Sequence, residues 1–408
     1  MSEQTLLRWI VAVNIVVAGT CPAIFRNDAY LNVALCILMA LSPLLLLFRS
    51  CRRTLPLLDI PFLLYALSAL LLPAIFHPAT LRWSTQFFTA AGAVWFAMMA
   101  RAVPAAGLSP RRIVTILEWL VAAYAIVLVI QQICVISGLP VFNSGLVYTY
   151  APFKLNSLMT EPSHSSFFLS VMMFYRGLQL RLVQQRSVPQ GASLLADLRT
   201  RWWVWLAFCW VLFTTCNASA YFWSPLALLP YIGRRNYYYY LSAAAVTLMI
   251  VALTPIGQST QIKRLTRMTT AIVTLDPDSI DAADESIAAR VGPSIYGARA
   301  VDVCSRDAWT GHGVDADRRD LTPPRIFEEG SAGVFHTWYI YGIVAAISLW
   351  IVIVETTFRK RLWPTWIITL VLLLVSSESN WQFFWFPMLL ALLTRSNSKF
   401  SDRRTVEH

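Results

Sequence analysis

Glu161 and His164 stand three residues apart in the segment Thr160-Glu161-Pro162-Ser163-His164. At the start of a helix, that spacing puts a carboxylate and an imidazole on one face. Such a pair positions or deprotonates a hydroxyl within hydrogen-bond reach. The same residue types also suit a plain helix start: Thr160 as cap, Pro162 in the first turn, Glu161 near the positive end of the dipole. Lys154 adds a cation upstream. A second set follows: Arg290, Arg299, Arg306, Trp309, His312 and His336. Arginine keeps its charge and presents a rigid donor fork, which suits diphosphate or sugar-acid binding. Trp309 offers a flat face for a sugar ring. Gly311-His312-Gly313 reads as a turn, and His336 sits just inside the next apolar run. Arg82, Arg264 and Arg267 complete the candidate substrate-binding residues. No carboxylate pair or Cys/His set has metal-ligand spacing, so neither a metal nor another cofactor is expected.

The elements that must position these residues are apolar. The chain has 408 residues, 57% of them hydrophobic and 13% charged. A typical soluble domain has about 25% charged residues. Continuous apolar runs of about 20 residues match the length of a membrane helix, and they do not alternate as barrel strands would. They predict helices near 6–25, 29–48, 55–75, 84–103, 112–136, 162–180, 202–216, 219–233, 237–256, 333–354, 362–376 and 380–394. Pro225 and Pro230 mark 219–233 as tilted or broken. The first run is read as a retained helix, since Cys21 and Pro22 spoil a cleavage site.

Basic residues then set the orientation. With a cytoplasmic N-terminus, the inner segments hold Arg49, Arg52, Arg53, Arg101, Arg111, Arg112, Arg176, Arg181, Arg199, Arg201, Arg234, Arg235, Arg359 and Arg361, among others. The short outer loops hold Arg26, Arg82 and Lys154. This bias places both termini in the cytoplasm and accounts for the net charge of +11 without nucleic acid. The expected fold is an all-α polytopic membrane protein: helices 1–9 in 1–256, a large extracytoplasmic loop in 257–332, and helices 10–12 with a cytoplasmic tail in 333–408. Within the loop, Ile262, Leu265, Met268, Ile272 and Leu275 space as an amphipathic helix, with Lys263, Arg264 and Arg267 between them. Only Cys304 of the seven cysteines falls in that loop, so no disulfide is expected there.

The stretch Phe153-Lys154-Leu155-Asn156-Ser157-Leu158-Met159-Thr160-Glu161-Pro162-Ser163-His164 resembles a segment of bacterial Wzy-type polysaccharide polymerases, in which an Arg or Lys and an Asn-Ser pair precede Glu-Pro-Ser. Arg290 followed by Trp309-Thr310-Gly311-His312-Gly313 resembles their periplasmic loop, and His336 stands where related O-antigen ligases carry His-Asn. The motifs lie within about 150–345. Three positions depart from the pattern: Lys154 stands for arginine, the turn does not begin with proline, and Thr337 replaces asparagine. The resemblance implies a GT-C-like glycosyltransferase of the inner membrane. It would join undecaprenyl-diphosphate-linked oligosaccharide repeats at the periplasmic face, among membrane lipids, with a chain-length regulator and a flippase as pathway partners. Arg290, Arg299 or Arg306 would then hold the diphosphate, and Glu161, His164 or His336 would move the proton. A ligase and a transporter are the alternatives.

Overall fold

The computed structural model describes residues 2–21, 32–53, 59–143, 152–184, 193–215, 218–233, 298–314, 316, 333–359, 362–374 and 381–406, with Arg267, Thr270, Tyr237 and Tyr238. Among these residues the regular structure is helical. In chain order the helices are α1 (Glu3–Ala18), α2 (Val33–Leu41), α3 (Arg49–Arg53), α4 (Asp59–Phe76), α5 (Trp83–Ala106), α6 (Pro110–Ile136), α7 (Pro162–Gln184), α8 (Leu194–Thr200), α9 (Trp202–Thr214), α10 (Ala218–Trp223), α11 (Asp307–Thr310), α12 (Val334–Tyr341), α13 (Ile343–Thr357), α14 (Pro364–Leu374) and α15 (Trp381–Val406). They form two compact units of interleaved segments. The first comprises Met1–Val11, Cys36–Gly107 and Thr266–Arg395; the second comprises Ala12–Leu35, Leu108–Leu265 and Ser396–His408.

In the first unit, α5 ends at Gly107, whose left-handed conformation (φ 56°) suits a residue without a side chain. The core packs Phe62, Phe96 and Trp385 as tilted rings, with centroids 5.2 Å and 5.4 Å apart. Gly92 makes room for it: a Cβ there would lie 2.8 Å from the Trp385 indole nitrogen. α4 and α5 pack side by side. Arg101, near the end of α5, pairs with Asp59 at the start of α4, so the two helices run antiparallel.

In the second unit, Ser109 caps α6 by accepting from the Arg112 amide at 3.4 Å, and Pro110 takes the first turn. α7 is the central element. Every residue from Ser165 to Leu180 is buried. It packs on α6 and on the 3-10 segment Ser224–Tyr231. Gly177 allows that approach, since a Cβ would stand 2.8 Å from Pro230.

Among the described residues three helices, α4, α5 and α6, are long and apolar enough to cross a membrane. This corrects the expectation of about twelve, and the physical reasons are specific. α2 has 9 residues and α14 has 11, about 14 and 17 Å at 1.5 Å per residue, against a hydrocarbon core of about 30 Å. Pro43 turns the end of the second run into a 3-10 segment, and Pro225 and Pro230 do the same after α10. The run expected at 333–354 is two helices, broken at Gly342 (φ 82°). α7 spends its apolar residues on packing within its own unit. An apolar run serves a buried core as well as a bilayer, and composition does not separate the two.

The charge argument is corrected with it. Arg176 is not a loop charge but is wholly buried. Arg101 pairs with Asp59, Arg201 with Glu118 and Arg395 with Glu355. The polytopic GT-C-like architecture and the multi-pass inner-membrane placement with cytoplasmic termini are therefore not supported. The run 237–256, apart from Tyr237 and Tyr238, and most of 257–332 lie outside the described residues.

Candidate functional site

The described site candidates divide between the two units. Lys154, Glu161 and His164 belong to the second; Arg82, Arg267, Arg299, Arg306, Trp309, His312 and His336 belong to the first. Arg264 and Arg290 lie outside the described residues.

In the second unit, the segment leading into α7 is held by buried polar groups. Asn156 donates from Nδ2 to the carbonyls of Asn143 (2.6 Å), Met159 (2.8 Å) and Thr160 (3.1 Å). The Ser157 amide donates to Gln131 Oε1 at 2.9 Å, and its hydroxyl donates to the Tyr124 carbonyl at 2.6 Å. Ser165, on α7, donates to the Asn156 carbonyl at 2.5 Å. The Lys154 amide donates to the Thr214 carbonyl at 2.8 Å. The segment is thus tied to α6, α7 and α9 while its backbone is strained. Asn143, Lys154 and Ser157 have φ of 55°, 62° and 54°, and they are the positive-φ residues other than glycine among the described residues. Side chains with a Cβ rarely adopt that region, and strain that surrounding bonds sustain gathers at functional sites.

The strained segment delivers Thr160 and Glu161 to the N-terminal end of α7, beside His164 on its first turn. His164 Nε2 lies 3.5 Å from Glu161 Oε2, with both side chains partly open to solvent. His164 Nδ1 lies 3.1 Å from Thr160 Oγ1. Ser163 Oγ donates to Glu161 Oε2 at 3.1 Å. With the imidazole proton on Nε2 facing the carboxylate, Nδ1 accepts from the Thr160 hydroxyl. The imidazole thus stands between a hydroxyl that it bonds and a carboxylate within ion-pair distance, a setting that orients a base. Capping alone does not require it.

In the first unit, the turn Trp309-Thr310-Gly311-His312-Gly313 is a packing device. A Cβ on Gly311 would fall 2.1 Å from the Ile340 carbonyl oxygen, and one on Gly342 would fall 2.1 Å from the Trp309 carbonyl oxygen. The His312 amide donates to the Tyr339 carbonyl at 2.9 Å, and its ring stacks on Tyr339 at 4.1 Å. His77 Nε2 donates to the Gly311 carbonyl at 2.7 Å. His336 is buried in α12. Arg267, Arg299 and Arg306 are exposed, as are Arg82 and Trp309. Arg306 lies over the Phe76 ring at 5.0 Å.

No family model matches this chain, and no curated protein matches it. The likeness to Wzy-type polymerases therefore rests on short motifs alone, and the three membrane-length helices among the described residues do not make the twelve-helix scaffold it implied. The polymerase reading, the glycosyltransferase activity on lipid-linked repeats, and the ligase and transporter alternatives fall with it.

Sequence reasoning also missed a buried charge cluster in the second unit. Arg176 Nε lies 3.0 Å from Glu118 Oε1, and its two terminal nitrogens donate to the Asp197 carboxylate at 2.7 and 2.9 Å. Tyr231 (2.8 Å) and Trp205 (2.9 Å) also donate to Asp197. Arg201 Nε reaches Glu118 at 2.9 Å. Burial pushes the Asp197 carboxyl up, but the bonds and charge of Arg176, joined by Trp205 and Tyr231, outweigh it and hold the carboxyl below its usual range. The signal was an arginine inside an apolar run, four residues before the expected end of its helix, where it passed for a flanking charge.

Proposed function

We propose that the second unit binds a hydroxyl-rich ligand of carbohydrate or polyol type at the mouth of α7, and that the Glu161–His164 pair accepts and exchanges a ligand hydroxyl proton. One observation carries this reading: His164 bridges the Thr160 hydroxyl and the Glu161 carboxylate while the pair stays partly open to solvent. The strained backbone at Lys154 and Ser157 supports it, because a helix cap needs no such strain. Lys154, exposed on the same segment, supplies positive charge for an anionic substituent on the ligand.

The test is calorimetric titration of the purified full chain in neutral detergent with a panel of neutral and phosphorylated sugars and polyols. At least one should bind. Glu161→Gln and His164→Ala should each weaken it by about tenfold or more, the loss of a charge-assisted hydrogen bond being worth about 1.5–3 kcal/mol. Lys154→Gln should weaken only phosphorylated ligands. Equal affinity in Glu161→Gln and wild type, at equal melting temperature, would overturn the assignment. So would a panel in which nothing binds.

A further inference from the structure

We infer that the first unit carries a site for anionic phospholipid headgroups at the turn joining α4 to α5. α4 presents an exposed apolar stripe along its length, with Ile60, Leu63, Leu67, Leu71 and Ile75 at three- and four-residue spacing. With 18 residues it is about 27 Å long, close to the hydrocarbon thickness. Its antiparallel partner α5 is also of membrane length. A pair of this kind places its turn at a lipid–water interface.

The residues at that turn are those an interface selects. Arg82 precedes α5, and Trp83 and Phe87 follow on its first turns, exposed and stacked at 5.4 Å. The segment 306–313 is fastened to the same turn by three independent contacts: Arg306 over Phe76, the His77 bond to the Gly311 carbonyl, and Gly313 against His77 and Thr80. This brings exposed Arg306 and exposed Trp309 to the end of the hairpin. The guanidinium of Arg306 is in no ion pair among the described residues, although Asp302 and Asp307 stand nearby in sequence. At the opposite end of the pair, Arg101 bonds Asp59, whereas Arg306 has no such carboxylate among the described residues. Arginine forks bind phosphate, and tryptophan rings settle at headgroup level. Lipid phosphate fits better than free phosphate, because the site adjoins an apolar stripe that a soluble anion would leave uncovered.

The experiment uses the full chain in neutral detergent, with native mass spectrometry counting phosphatidylglycerol and phosphatidylcholine retained from an equimolar mixture. Wild type should retain phosphatidylglycerol preferentially, and R82Q/R306Q should lose about tenfold of that preference at unchanged melting temperature. R306K should keep part of it, retaining the charge without the fork. If the double variant does not fold, wild type alone decides: 0.5 M NaCl should abolish the preference, as expected for a headgroup charge contact. Equal retention of the two lipids by wild type would overturn the inference. So would an undiminished preference in R82Q/R306Q, or competition by millimolar inorganic phosphate as effective as by the lipid. None of these outcomes bears on the α7 site, which lies in the other unit.

Discussion

At the residue scale, two charged groups that look alike in sequence have opposite surroundings. Glu161 is partly open and touches an imidazole, whereas Asp197 is enclosed by an arginine, a tyrosine and a tryptophan. Arg176→Met should therefore destabilise the second unit by about 3–5 kcal/mol, because it removes the buried cation bonded to Asp197 and leaves Glu118 with Arg201 alone. Thermal unfolding in detergent reads this directly, and a melting temperature within a degree of wild type would show the cluster to be dispensable. The pH dependence has a definite sign. The folded-state Asp197 pKa is depressed, so its contribution is fully present above the unfolded value of about 3.9 and is lost as pH falls through the folded value. Wild type should lose melting temperature below about pH 4, and Asp197→Asn, already destabilised, should lose less over the same interval.

At the element scale, glycines decide where backbones meet. Gly311 and Gly342 each hold a position where a Cβ would lie 2.1 Å from a carbonyl oxygen of the other's segment, and both have positive φ. Gly342→Ala should cost several kcal/mol, at the severe end for single substitutions, and should release the 309–313 turn from α12. Gly138 is the control. Its φ is also positive, at 66°, but nothing lies within 4 Å of a Cβ there. Gly138→Ala should cost only about 1–2 kcal/mol, the backbone term alone. Similar melting temperatures for the two variants would count against the close approach at Gly342.

At the scale of the whole molecule, most of the described helices expose large apolar side chains, and α7 is a long helix that exposes none. α4 carries its stripe, and α6 exposes Trp119, Ile126, Ile130, Ile133 and Ile136. α7, by contrast, is buried from Ser165 to Leu180. Moving the protein from detergent into lipid nanodiscs should therefore deepen hydrogen-exchange protection at the ends of α4, α5 and α6, and leave α7 unchanged. A gain in α7 equal to that in α4 would show that α7 also meets lipid.

That the chain is helical was legible in the sequence, because an apolar run must satisfy its backbone internally wherever it is buried, and a helix does so locally; the twelve membrane spans read from the same runs are not there among the described residues. Pro225 and Pro230 marked 219–233 as tilted or broken, and there the structure has a short helix followed by the 3-10 segment Ser224–Tyr231. The Glu161–His164 juxtaposition was legible too, since three residues on one helix suffice to make it. What surrounds each helix was not. Whether Leu169 or Leu67 faces protein or solvent depends on partners far along the chain, and the same hydropathy serves both. The Arg176 cluster draws on α6, α7, α8, α9 and the segment after α10, at sequence separations from 21 to 58 residues. No local pattern encodes such a meeting; only packing α7 against its neighbours brings those charges within bonding distance.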